Sequence, residues 1–126
     1  LLQEAALPSR YIKEHLDHFL VLRAGSVVRG CGGLEIYADS CLLRSLVVDP
    51  LYRRSGWGAA LLRELIASAR RLGVGEIIAL TSTAVPFLQD FSFVEIERAS
   101  ICDAVGNSWQ FEEASCACAT SMRLAL

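Results

Sequence analysis

Arg53-Arg54-Ser55-Gly56-Trp57-Gly58 is a basic turn carrying two glycines, set between an apolar run that ends at Val48 and an amphipathic run that starts at Gly58. A strand that passes through such a turn into a helix offers unpaired backbone N–H groups and the positive end of the helix dipole to an anion. Glycine suits the position because a residue without Cβ reaches unusual φ values and lets a phosphate approach the backbone. The chemistry that fits is a diphosphate seat. Two common phosphate loops are excluded: there is no Gly-Lys-Ser/Thr ending for a nucleoside triphosphate, and Leu61 stands where a dinucleotide fingerprint has its third glycine. The plainer alternative is an ordinary strand-to-helix turn, with arginine for solubility.

Other residues that could do chemistry are more scattered. Glu35 interrupts the otherwise apolar stretch Gly33-Leu34-Glu35-Ile36-Tyr37, and Arg44 and Ser45 interrupt the apolar run Cys41 to Val48. An acid in an apolar strand needs a reason, and an ion pair with Arg44 is the simplest. Register decides it: a two- or four-residue turn at 38–41 puts Glu35 directly across from Arg44, whereas a three-residue turn puts it opposite Leu43, with Gly33 opposite Ser45. His15 and His18 stand three apart on a helical stretch, a metal-binding geometry that lacks a third ligand nearby. Cys116-Ala117-Cys118 could take a soft metal or metalloid, against the simpler reading of small apolar packing. Trp109 and Phe111 read as core or pocket wall.

The elements that must position these residues follow from hydrophobic period. After a short helical stretch at 9–17, Phe19 to Arg23 reads as a strand, Ala24-Gly25-Ser26 as a hairpin turn, and Val27 to Tyr37 as a second strand. Gly30, Gly32 and Gly33 inside that strand predict a bulge or the close approach of another group. Ala38-Asp39-Ser40 closes a second turn before the strand Cys41 to Val48. From Gly58 the period becomes helical: Leu61, Leu62, Leu65, Ile66, Ala69 and Leu72 form one stripe, with Arg63, Glu64, Ser68, Arg70 and Arg71 opposite and Gly73 as the stop. Glu76 to Thr81 is a nearly all-apolar strand of the kind buried in a parallel pair, which makes a strand-helix-strand crossover. A short helix at 84–90, a strand at 93–98, a helical turn at 100–105 and a closing strand at 119–126 complete an α+β domain with a mixed sheet.

Length and composition bound the function. At 126 residues and 53% hydrophobic content, 1–126 reads as a single domain with room for one site. With 12 Lys and Arg against 14 Asp and Glu, no overall field favours nucleic acid, so an anion site must be local. Five cysteines at irregular spacing argue against a disulfide scaffold and for a reducing cytoplasm. No apolar run approaches the roughly 18 to 20 residues of a membrane span, and no signal peptide is visible. Leu1-Leu2-Gln3-Glu4-Ala5-Ala6 reads as the end of a helix, so a further segment is expected upstream.

Val48, Pro50, Tyr52, Arg53, Gly56 and Gly58 spell Val-x-Pro-x-Tyr-Arg-x-x-Gly-x-Gly, and through that signature the chain resembles the GNAT superfamily of acetyl-CoA-dependent N-acetyltransferases. The order of elements is similar over nearly the whole chain, without the family's first strand. Segments 33–39 and 42–48 and the Cys-rich stretch before Met122 look most like small bacterial arsenic-resistance or amino-acid N-acetyltransferases. The resemblance implies the acyl-CoA N-acyltransferase fold, a mixed and mostly antiparallel sheet flanked by helices. It implies that backbone N–H groups of Arg53, Arg54, Ser55, Gly56, Trp57, Gly58 and Ala59 cradle the pyrophosphate of acetyl-CoA. The edge of Leu46, Val47 and Val48 would hold the pantetheine arm and help polarise the thioester carbonyl.

The chemistry implied is direct attack of a neutral amine on the thioester, with a base removing its proton. Glu35 is the first candidate for that base or for a contact to the substrate ammonium, Ser45 is a second catalytic candidate, and Arg44 could hold a substrate carboxylate. The family's usual acid, a tyrosine in Phe-Tyr-x-x-x-Gly-Phe, is missing: Leu88 takes its place and Ser92 replaces the glycine. Solvent, Ser82 or Thr83 would then protonate the thiolate. The expected partner is a small-molecule amine, with no metal, nucleic acid or membrane, and a homodimer is left open. The rival readings are a non-catalytic acyl-CoA-binding module of the same fold and a metal- or metalloid-binding regulatory domain built on the cysteines.

Overall fold

The computed structural model describes residues 18–24, 27–49, 56–97 and 119–126. Their elements run β1 (Phe19–Ala24), β2 (Val27–Tyr37), β3 (Ser40–Val48), α1 (Trp57–Leu72), β4 (Glu76–Thr81), α2 (Val85–Gln89), β5 (Val94–Ile96) and β6 (Thr120–Ala125). The six strands form one sheet in the order β1-β2-β3-β4-β6-β5. Every neighbouring pair is antiparallel except β3 with β4, which is parallel and joined by α1. The mixed sheet of the α+β expectation is therefore present, as is the crossover. The stretches expected to be helical at 9–17 and 100–105 lie outside the described residues.

α1 forms where the apolar period is strongest and seals one face of the sheet. Leu61, Leu62, Leu65, Ile66 and Ala69 are buried against Leu34, Leu43, Ile77, Ala79, Met122 and Leu124. A fully buried leucine contributes about 1.5–3 kcal/mol, so this stripe dominates the stability of the layer. Leu72 departs from the expected stripe and is 47% exposed, because it is the last helical residue before Gly73 turns the chain at φ 79. On the opposite face, Leu42 and Ile78 are buried together, with Tyr37 and Ile96 packed beside them.

The glycines of β2 mark close approaches. A Cβ on Gly33 would stand 2.5 Å from Cδ1 and Cε1 of Phe19, its direct partner on β1, so the aromatic ring lies where a side chain would be. Gly32 makes room for Leu65 and Leu46 on the helix-covered face. The register of β2 shifts against β1 between Leu22 and Arg23, and against β3 between Cys31 and Gly33.

Candidate functional site: the splayed edge of β3 and the start of α1

β3 parts from β4 and bulges against β2 at one place. Its parallel pairing with β4 covers Ser40 to Leu43 against Glu76 to Ala79 and stops there. On its other side Arg44 pairs with Gly33 and Val47 with Cys31, so Ser45 and Leu46 together stand opposite Gly32 in a bulge. Ser45 takes a left-handed backbone, φ 59, which a serine rarely adopts. Its carbonyl accepts the Cys31 thiol at 3.4 Å and its hydroxyl accepts Arg44 Nε at 3.2 Å. The β2 ladder resumes with Asp49 N–H donating to Arg29 O at 2.6 Å. Hydrogen bonding alternates along an antiparallel pair, so Val47 addresses β2 while the backbone of Val48 turns to the edge that β4 has left.

α1 starts beyond that edge. Gly56 is its N-cap at φ 85 and ψ 0, no side chain caps the helix, and its first turn holds no acid. Ala60 N–H makes the first intrahelical bond, to Gly56 O at 3.0 Å, while the N–H groups of Gly58 and Ala59 have no partner among the described residues. A Cβ on Gly56 would meet nothing within 4 Å, so the outer surface of the turn is open. Open backbone, outward N–H groups and an absent first-turn acid fit a diphosphate. Gly58 is less constrained: a Cβ there would touch Phe87 and Val48 at 3.7 Å, an ordinary contact. Arg53, Arg54 and Ser55, with Pro50 and Tyr52, lie outside the described residues.

Glu35 and Arg44 form an ion pair, through a turn of the expected two residues set one residue earlier than the register that would place them directly opposite. The β2–β3 turn is the two residues Ala38 and Asp39, Tyr37 pairs with Ser40, and Glu35 stands opposite Leu42. Arg44 is therefore a diagonal neighbour on the same face, and its NH1 reaches Glu35 Oε2 at 3.5 Å with both side chains at 0–1% exposure. Tyr37, which the sequence reading passed over, donates its hydroxyl to the same Oε2 at 3.3 Å. Its position two residues after Glu35 on one strand face was the available signal.

The remaining candidates are placed as follows. Leu88 is buried in the core at 2% exposure and offers no hydroxyl at that place. Ser92 keeps a left-handed backbone, φ 72, where the family pattern has glycine. Ser82 and Thr83 are exposed after β4, and Thr81 Oγ1 accepts the N–H of Ala84 at 2.9 Å, shaping the start of α2. Burial pushes the Cys31 thiol up, and burial with the charge of Glu76 pushes that of Cys41 up to about 12, so neither is a ready nucleophile. Among the described residues no three His, Cys, Asp or Glu side chains cluster as a metal site, and no helix is long and apolar enough to cross a membrane. His15, Cys116 and Cys118 lie outside those residues.

The family model described as the Acetyltransferase (GNAT) family matches residues 2–93, most of the chain. The chain belongs to the GNAT acetyltransferase family. Among its relatives, the amino-acid acetyltransferase of Pasteurella multocida is 24% identical over 106 residues, covering 82% of this chain. That of Pseudomonas putida is 28% identical over 112 residues, again 82% of the chain. This GNAT chain spans only about a quarter of the length of those relatives, 24% and 26%. Among solved structures, N-acetylglutamate synthase from Neisseria gonorrhoeae, complexed with coenzyme A and N-acetyl-glutamate, superposes with a TM-score of 0.84 at 21% identity, over 99% of this chain and 30% of that one. Rv2747 from Mycobacterium tuberculosis, in complex with CoA, gives a TM-score of 0.77 at 24% identity, over 91% and 80% of the two chains. Both likenesses agree with the GNAT fold built from the strands above.

Proposed function

We propose that this chain transfers acetyl from acetyl-CoA to the primary amine of a small molecule, an amino acid or an amino-acid-like compound. The observation that carries the reading is the convergence of three features at one edge. β3 parts from β4 after Leu43, Ser45 and Leu46 bulge, and α1 opens beside them with a left-handed Gly56 and with Gly58 and Ala59 N–H groups that have no partner among the described residues. The N–H groups of Gly58 and Ala59 bind the diphosphate, and the edge of Leu46 to Val48 aligns the pantetheine arm. Bound acetyl-CoA supplies the thioester carbonyl that the amine attacks, with the thiolate as leaving group.

The buried pair supports an amino-acid substrate. An α-amino acid carries its own ammonium and carboxylate, and Glu35 and Arg44, 3.5 Å apart, are the complement of that charge pair. Both side chains are closed to solvent in this structure, so substrate binding parts the pair: Arg44 then holds the carboxylate, and Glu35 draws the amine and takes its proton directly or through water. Ser45, bonded to Arg44 Nε, fixes the guanidinium from the bulge. The thiolate is protonated from solvent or by a hydroxyl such as Ser82 or Thr83. The relatives named amino-acid acetyltransferase, matched over 82% of this chain, support the same substrate class.

A second reading, an acyl-CoA-binding module without turnover, is favoured by Leu88 at the place of the family's tyrosine. Thiol release from acetyl-CoA, followed over a panel of amino acids, polyamines and aryl amines, separates the two. Turnover confined to amino acids supports the proposal, turnover on other amines alone overturns the substrate class, and tight binding with no turnover on any amine favours the module.

A further inference from the structure

A groove of about 550 Å³ lies between α1 and the turn that follows α2, away from the Glu35 and Arg44 pair. α1 lends it Arg63, Ile66 and Arg70, the turn lends Phe91 and Ser92, and β6 lends Leu124. Its volume falls in the range of small-molecule sites, about 300–1,000 Å³. Arg63 and Arg70 are two helical turns apart, so they share one face with their Cα atoms roughly 10 Å apart along the axis, and Ile66 sits between them.

The two arginines differ from others in the sheet. Arg29 is paired with Asp49 at 2.9 Å, Arg44 with Glu35 at 3.5 Å and Arg123 with Glu76 at 3.9 Å. Neither Arg63 nor Arg70 has a carboxylate within 4 Å among the described residues. Arg63 lies over the Phe91 ring, 5.9 Å from its centroid, and Phe91 in turn packs at 56° against Phe87. A cation–π contact at that distance draws the guanidinium toward the ring without using its N–H groups, which stay available for a planar acceptor.

We propose that this groove binds a small dicarboxylate with an apolar spine, one carboxylate on Arg63, the other on Arg70, and the spine over Ile66 and Leu124. A carboxylate at each end matches the fork geometry of both guanidiniums. An apolar middle replaces the water over Ile66 and Leu124, which a compact anion would leave uncovered. The site is open, so its electrostatic part weakens with salt over a screening length of about 10 Å at 0.1 M.

Adipate, hexanoate and inorganic phosphate, titrated into the chain by calorimetry and thermal melts, test this. Adipate at ten times its Kd shifts the folding equilibrium about 11-fold and raises Tm by roughly 3–6 °C. It should bind at least about tenfold more tightly than hexanoate or phosphate, and Arg63→Gln or Arg70→Gln should each remove about that factor. Both positions are exposed helix surface, so these variants should fold and keep the Tm shift caused by acetyl-CoA. Equal affinity for hexanoate, affinity untouched by either substitution, or displacement of adipate by acetyl-CoA would each overturn the proposal. The last result would make the groove part of the cofactor site.

Discussion

Arg44→Met tests what the buried pair does for the fold. The substitution leaves Glu35, at 0% side-chain exposure, as a buried carboxylate that has lost its arginine. Stranding a buried charge costs about 3–5 kcal/mol, and the Tyr37 hydroxyl that still reaches Oε2 puts the expectation near the lower end, about 3 kcal/mol. That is a large part of the roughly 5–15 kcal/mol that holds an ordinary domain together. Adding Glu35→Gln removes the stranded charge with little change of shape, so the double variant should be more stable than Arg44→Met by about 2 kcal/mol. Urea denaturation of the four proteins at pH 7.5 gives the coupling energy directly. Strictly additive losses, with coupling under about 0.5 kcal/mol, would refute the ion-pair reasoning. Turnover supplies an independent readout: Glu35→Gln should lower kcat well beyond any loss of acetyl-CoA affinity, whereas parallel losses would assign Glu35 a structural role alone.

Gly56→Glu should abolish the rise in Tm caused by acetyl-CoA, since it places a negative side chain at an open N-cap, while the neutral Gly56→Asn, tolerant of positive φ, should keep most of it; an undiminished shift in folded Gly56→Glu would sink the diphosphate assignment. Cys41, held at about 12 against an ordinary 9.0, stays protonated in the folded chain while the unfolded chain loses its proton. Its contribution is therefore complete below pH 9 and falls by about 1 kcal/mol per pH unit between pH 9 and 12, and urea midpoints across that range should decline less steeply in Cys41→Ala. Gly33→Ala should destabilise by about 1–3 kcal/mol through the Phe19 ring, and a Phe19→Ala background should relieve the clash, as a comparison of denaturation midpoints will show.

Much of this architecture was legible because burial writes period into a chain. α1 was readable from Leu61 to Ala69, and β4 from its apolar run, since Ile77 and Ala79 are buried on one face of the sheet and Ile78 on the other, leaving no polar face to show. The register of the β2–β3 hairpin was not readable, because its turn is made by Ala38 and Asp39 with Ala38 at φ 54, a conformation alanine does not advertise. The ion pair survived the misreading because long side chains also reach diagonal neighbours. The bulge at Ser45 was hidden for the same reason as the turn: a serine at φ 59 looks like any strand serine. Gly56 behaved as read, and Gly58 turned out to face ordinary contact distances.

The sheet order carries a consequence for how the chain is made. Among the described strands β5 has one neighbour, β6, and β6 slots between β5 and β4, although it is the last of them to be synthesised. While the ribosome still holds that segment, Val94–Ile96 has no strand to join and one edge of β4 stands open. The first three strands can zip sequentially as hairpins, but the other half of the sheet waits for a late insertion across a long separation, a slow step. During that wait the nascent chain presents a sticky edge to its surroundings, and a premature stop before Thr120 would make the exposure permanent.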